Sequence, residues 1–251
     1  MRTPDGDENC QVRCALKISF IYFRTFGVFN MKTHILIPTA EAAFIAGLSD
    51  RDMNRVVDEH LVPDILFEKT DGVRRFTRLS AAFAKFYFDD RNWLVAGARR
   101  QVVDELTHRV ARLQGKNDVF SLMALPDRFN WKVTNYTVEV DMAPYVADVF
   151  ARVKDVCQAD ALVTVSPDVM GGAAVFAGTR VPIDIVLGSI AADSSMERLK
   201  ASYPFLTDAH VQAARVYEAV HPRRGRPRRL ADTNPAMTPR VRRVVRPAAT
   251  V

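Results

Sequence analysis

The stretch from Thr39 to Arg78 reads TAEAAFIAGLSDRDMNRVVDEHLVPDILFEKTDGVRRFTR, and its punctuation decides the fold. Thr39 is a good N-cap for a short apolar helix over Ala40 to Ala46, which Gly47 breaks. Ser49 then caps a second helix running to about Glu59, with Leu48 and Met53 at the two positions of a hydrophobic staple. On this second helix Met53, Val56 and Val57 share one face, while Arg51, Asn54, Arg55 and Asp58 fall at i, i+3, i+4 and i+7 on the opposite one. The apolar set has to be buried, which leaves the polar set to solvent or to a ligand. Pro63 closes the pair of helices. Ile65 to Phe67 and Val73 to Phe76 read as two strands, and Asp71-Gly72 between them is a strong hairpin signal.

Two helices around a glycine turn, followed by a hairpin, predict a winged helix-turn-helix over residues 31–90. The exposed face with Arg51, Asn54 and Arg55 is of the kind that reads base edges. Lys69, Arg74 and Arg75 on the hairpin, with Arg78 just beyond it, suit phosphate contacts beside the groove. A third helix follows, with Leu79, Ala82, Phe83, Phe86 and Tyr87 as its buried stripe. The order of these signals resembles a MerR-type or excisionase-type winged helix. A plainer reading treats the unit as generic helical packing with solvated Arg and Asn. Charge favours the plainer view, because residues 39–88 hold seven Lys/Arg and eight Asp/Glu. Nonspecific attraction to phosphate then has to come from the hairpin cluster, from dimerisation or from the tail.

The tail is where the basicity sits. Residues 222–251 contain nine arginines and the single Asp232, so eight net positive charges lie there and the rest of the chain carries −2 of the formal +6. This segment is Pro-rich and lacks aromatic residues, a composition that cannot bury enough apolar surface to fold alone. An acidic partner is expected for it. The body, in contrast, is part of a chain of 251 residues that is 48% hydrophobic, ample for a core and for two small domains.

Other classes fit poorly. Ala15 to Phe29 is apolar but carries Lys17 and Arg24 and is shorter than the roughly 20 residues a membrane span needs. Cys10, Cys14 and Cys157 are odd in number and imply no disulfide framework, so a soluble cytoplasmic protein is expected. Residues 1–30 lack periodicity, and the expected start is Met31. The histidines, His34, His60, His108, His210 and His221, are scattered, with no HExxH, no nucleophile elbow and no zinc spacing. No enzyme, cofactor or metal is expected; Asp141, Asp160, Asp168 and Asp184 read as turn and cap residues.

Residues 91–160 read as a connecting region that could dimerise: a long helix from Asn92 to about Gln114, ended by Gly115, an alternating strand-like run from Trp131 to Val140, and a helix opened by Pro144 that runs to about Ala159. Residues 161–221 begin with strands at Leu162 to Val165 and Ala174 to Phe176 around the Gly171-Gly172 turn, which does not match a phosphate-binding loop. Three short helices follow. Pro182 sits at the N1 position of the first, Ser194 and Glu197 make a capping box for the second, and Thr207 caps the third. The fold class is therefore mainly α with small β-hairpins, in effect α+β, with a trihelical, homeodomain-like C-terminal unit.

Three runs in this last unit carry a family resemblance: PDVMGGAAVFAGTRVP over 167–182, YPFLT over 203–207 and AARVY over 213–217. Residues 162–221 resemble family 433 of the domains of unknown function, whose members commonly have proline where this chain has Ala174. Joined to a helix-turn-helix, the arrangement resembles mycobacterial VapB-type antitoxins. That resemblance implies a homodimer that binds operator DNA to repress its own operon and caps a cognate PIN-domain ribonuclease toxin. Arg223, Arg224, Arg226, Arg228 and Arg229 are then expected to bind the toxin, because arginine forks neutralise the carboxylates that hold Mg²⁺ in such a nuclease. Arg224-Gly-Arg-Pro227 also looks like the core of an AT-hook, a minor-groove reader. The alternative is a free-standing winged-helix regulator with no toxin partner.

Overall fold

A computed structural model describes residues 36–126, 128–135 and 138–222. These residues form helices with three small antiparallel sheets between them. At the centre lies α1 (Thr39–Ala46), whose sequence is apolar on every side apart from Glu41; Ala40, Glu41, Ala42, Ala43, Ile45 and Ala46 are all buried. A helix without a polar face must be surrounded. The short strand β1 (Ile37–Pro38) leads into it, and Pro38, extended at ψ 163°, is its N-cap without a side-chain bond. Thr39 is thus the first helical residue rather than the expected cap, since proline before it already prefers the extended geometry.

Gly47 ends α1 in the left-handed region at φ 68°. Ser49 then caps α2 (Asp50–Asp58), its hydroxyl accepting from the Asp52 N–H as the sequence predicts. A 3-10 turn, Asp64–Leu66, occupies the place where the first hairpin strand was expected, so β2 starts only at Phe67 and runs to Thr70. It pairs with β3 (Val73–Phe76) in the register Phe67 to Phe76 and Thr70 to Val73. That register leaves Asp71 and Gly72 as the two-residue turn, both at positive φ, as a type I′ hairpin requires. The middle strand β3 also pairs with β1.

The Thr77 hydroxyl accepts from the Ser80 N–H to cap α3 (Arg78–Asp89). Its predicted stripe, Leu79, Ala82, Phe83, Phe86 and Tyr87, is buried throughout. A 3-10 turn at Asp90–Asn92 separates it from α4 (Ala96–Ala111), so Leu94 and Val95 lie ahead of the helix and not inside it. The short α5 (Lys116–Phe120) follows. The alternating run after Trp131 is a hairpin rather than one strand, with β4 (Lys132–Asn135) paired to β5 (Val138–Asp141).

The longest helix, α6 (Ala143–Leu162), has Pro144 in its first turn, where a missing N–H costs nothing. It closes the core from the other side. Arg152 donates to the Phe44 carbonyl at 3.0 Å, satisfying an end group of α1. The Tyr145 hydroxyl donates to Asp90 at 2.8 Å, and Lys85 pairs with Asp148 at 3.0 Å, so α6 is fixed to the end of α3 by polar contacts as well as by packing.

The C-terminal unit contains β6 (Val163–Val165) paired with β7 (Ala174–Phe176), then α7 (Ile183–Ala191), α8 (Met196–Ser202) and α9 (Asp208–Val220). Pro182 is the N-cap of α7, one position earlier than expected. Ser195, not Ser194, caps α8 and bonds to the Arg198 N–H. Thr207 does cap α9, with His210 reaching back to complete the box. Val163, Phe176, Ile183, Val186, Leu199, Leu206, Val211 and Ala214 make a second, smaller core. The opposite side of α9, with Ala213, Val216 and Val220, belongs to the main core instead. Among the described residues no helix is long and apolar enough to cross a membrane.

Candidate nucleic-acid interface

The amphipathic pattern of α2 resolves as its periodicity requires: Met53, Val56 and Val57 are buried against α1 and α3. Arg51 and Asp58 are exposed, and Asn54 and Arg55 are half-buried on the outward side. The hairpin β2–β3 stands beside the C-terminal end of this helix. What joins them is Asp58. One Arg74 amino group donates to both of its oxygens, at 2.7 and 2.9 Å, and Lys69 approaches at 3.4 Å. The Asp58 carboxyl is held below its ordinary value, first by the hydrogen bond from Arg74.

A second set of pairs lies one residue along. Glu59 takes two bonds from Arg55, at 2.7 and 3.3 Å, and Asp52 stands 3.5 Å from the same guanidinium. The Arg55 bond holds the Glu59 carboxyl low and in turn raises Arg55. Arg55 also lies over the Phe88 ring at 5.3 Å. Arg100 of α4 adds positive potential at Glu59.

Of the seven positions expected to meet DNA, Arg51, Asn54 and Arg55 lie on the outward side of α2, and Lys69 and Arg74 join its C-terminal end at Asp58, whereas Arg75 alternates with Arg74 along β3 and belongs to the other side of the sheet. Arg75 occupies the middle strand, opposite Glu68 on one side and Pro38 on the other. Arg78 does not belong. It is 1% exposed, and its Nε and Nη2 donate to Glu41 at 3.1 and 2.9 Å inside the core. As the first residue of α3 it points back toward α1 rather than out past the hairpin, and a phosphate cannot reach it. The five tail arginines, Arg223, Arg224, Arg226, Arg228 and Arg229, lie outside the described residues.

The sequence shows the acids of this unit and a helical pattern after α3, but not which acid pairs with which cation or that the segment after α3 adjoins them. The Arg55/Glu59 pair has the i,i+4 spacing of a helix-surface ion pair and was open to detection. Asp58 with Arg74 was not, because their distance depends on how the hairpin docks. Residues 91–100 hold three arginines and no acid, and within them Trp93 is 88% exposed and Val95 76%. Of these arginines Arg99 is buried and donates to the Tyr87 carbonyl, so only Arg91 and Arg100 add to the exposed guanidinium and ammonium donors of this face. Among the described residues no three His, Cys, Asp or Glu gather where they could hold a metal ion.

Comparison with known proteins places the C-terminal unit first. A family described as a protein of unknown function (DUF433) matches residues 163–217, from β6 through most of α9. The uncharacterized protein y4eO of Sinorhizobium fredii (strain NBRC 101917 / NGR234) is 32% identical over 197 residues, which is 78% of this chain and 86% of the relative. The chain belongs to the y4eO family. A match of that length extends well beyond this chain's DUF433 region and into the helices that precede it. No solved structure matches the chain.

Proposed function

We propose that this member of the y4eO family is a cytoplasmic DNA-binding regulator, a homodimer whose winged helix-turn-helix docks on operator DNA upstream of its own gene. The observation that carries the reading is the division of α2. Its apolar residues are used up in the core, while Arg51, Asn54 and Arg55 remain outside beside a basic hairpin. A helix that presents side chains of this type next to a phosphate-contacting hairpin is suited to the major groove.

The same proposal includes the antitoxin role: a PIN-domain ribonuclease is captured by the arginine-rich tail while the body holds DNA. Support for this part comes from the resemblance of the whole arrangement to VapB-type antitoxins and from the chemistry of arginine against a carboxylate cluster. The test is co-expression with the neighbouring reading frame. The nuclease is expected to co-purify with the full chain and to be released, active, from a chain truncated after Pro222. Binding of promoter DNA with no recoverable nuclease would mark a free-standing regulator instead.

A further inference from the structure

From the pairing pattern at the end of α2 we infer that Asp58 and Glu59 are specificity-determining residues, which mask the hairpin and helix cations from non-cognate phosphate and hold Arg55 ready for a base edge. The inference rests on the DNA-binding reading above. Its starting point is that three of the best placed cations each already have an internal anion: Arg74 and Lys69 share Asp58, and Arg55 is gripped by Glu59.

A random duplex offers these cations only phosphate. Exchanging one anion for another gains little, and the displaced carboxylate is left facing a polyanion. Nonspecific affinity depends on how many phosphates are neutralised, and in this unit the count is lowered from within. The cognate site is different. Arg55, fixed by two bonds to Glu59 and by the Phe88 ring, has given up much of its rotamer freedom before DNA arrives. A guanidinium already oriented loses less entropy when it meets a guanine edge, so the same carboxylate that weakens random binding favours the correct sequence.

The test uses the full chain and two probes, its own promoter fragment and a scrambled duplex of equal length, titrated across a salt series. Asp58→Asn and Glu59→Gln are each expected to tighten binding to the scrambled duplex about fivefold to tenfold near 0.1 M salt, with the slope of log K against log salt steeper by about 0.9 per carboxylate removed. Glu59→Gln is expected to gain nothing on the promoter, so discrimination falls by a similar factor. Arg74→Ala has little effect on scrambled DNA in the parent chain, but it removes most of the gain in the Asp58→Asn background, and Lys69→Ala the remainder. Both carboxylates are exposed, so each substitution is expected to lower the melting temperature only slightly and to leave the chain folded. A parent chain that discriminates, with variants that leave scrambled affinity and salt slope where they were, overturns the inference. A parent chain that binds neither duplex overturns the DNA-binding reading beneath it.

Discussion

Arg78 and Glu41 form the main buried ion pair of the N-terminal unit. Both belong to the first turns of their helices, α3 and α1, and the pair joins the two helix starts across the core. Two charges out of water are tolerated only together, because breaking such a pair strands one of them. Glu41→Ala is therefore expected to cost about 3–5 kcal/mol, read by urea unfolding, whereas replacing both residues by apolar ones of similar volume costs far less. Gly47 is a second position set by its neighbours. It needs φ 68°, and an added Cβ would lie 2.9 Å from the Arg152 guanidinium that bonds the Phe44 carbonyl. Gly47→Ala is expected to lose about 1–2 kcal/mol from the left-handed backbone alone, seen as a fall in Tm. Asp58 adds a dependence on pH. Its folded pKa is depressed, so its contribution is present above the usual carboxylate range and is lost as pH falls through the lowered value. The hairpin should loosen from α2 only in acid.

At the scale of elements, α2 and the β2–β3 hairpin act as one unit because Asp58 ties them. Arg51→Ala and Arg55→Ala are each expected to weaken binding to the promoter fragment by about 1–3 kcal/mol if they read bases. An equal loss on scrambled DNA would reduce them to phosphate contacts. Much of this unit was legible in the residues. Ser49 and Thr207 cap where their side chains predict, Asp71-Gly72 turns where only residues tolerant of positive φ fit, and the stripe of α3 is buried in full. The departures have local causes. Leu66 looks like strand but is drawn into a 3-10 turn after Pro63, and Ser195 displaces Ser194 as a cap, although only Ser194 has Glu197 three residues on, because the Ser194 N–H closes the preceding turn onto the Ser189 carbonyl. Arg78 was misjudged for a deeper reason. Its spacing along the chain does not reveal that Glu41, 37 residues earlier, waits for it in the core.

For the whole molecule, the decisive element is α9. One side of it completes the small C-terminal core with Val211 and Ala214, and the other side seals the main core with Ala213, Val216 and Val220. The region matched by the DUF433 family is thereby fastened to the rest rather than suspended from it. A fragment of residues 161–222 is expected to lack a stable fold, with collapsed, poorly dispersed amide resonances, because it exposes the second side of α9 to water. A well-dispersed spectrum from that fragment would mean the small core suffices. The charge distribution follows the same division between body and tail: a near-neutral body, and most of the positive charge held beyond Pro222. The central claim is that the outward face of α2 recognises a DNA sequence. The most direct measurement is fluorescence anisotropy of the intact chain against its own promoter fragment and a scrambled duplex at 0.15 M salt. At least tenfold tighter binding to the promoter, lost in Arg51→Ala, is the predicted result; equal affinity for the two duplexes, or none for either, would contradict it.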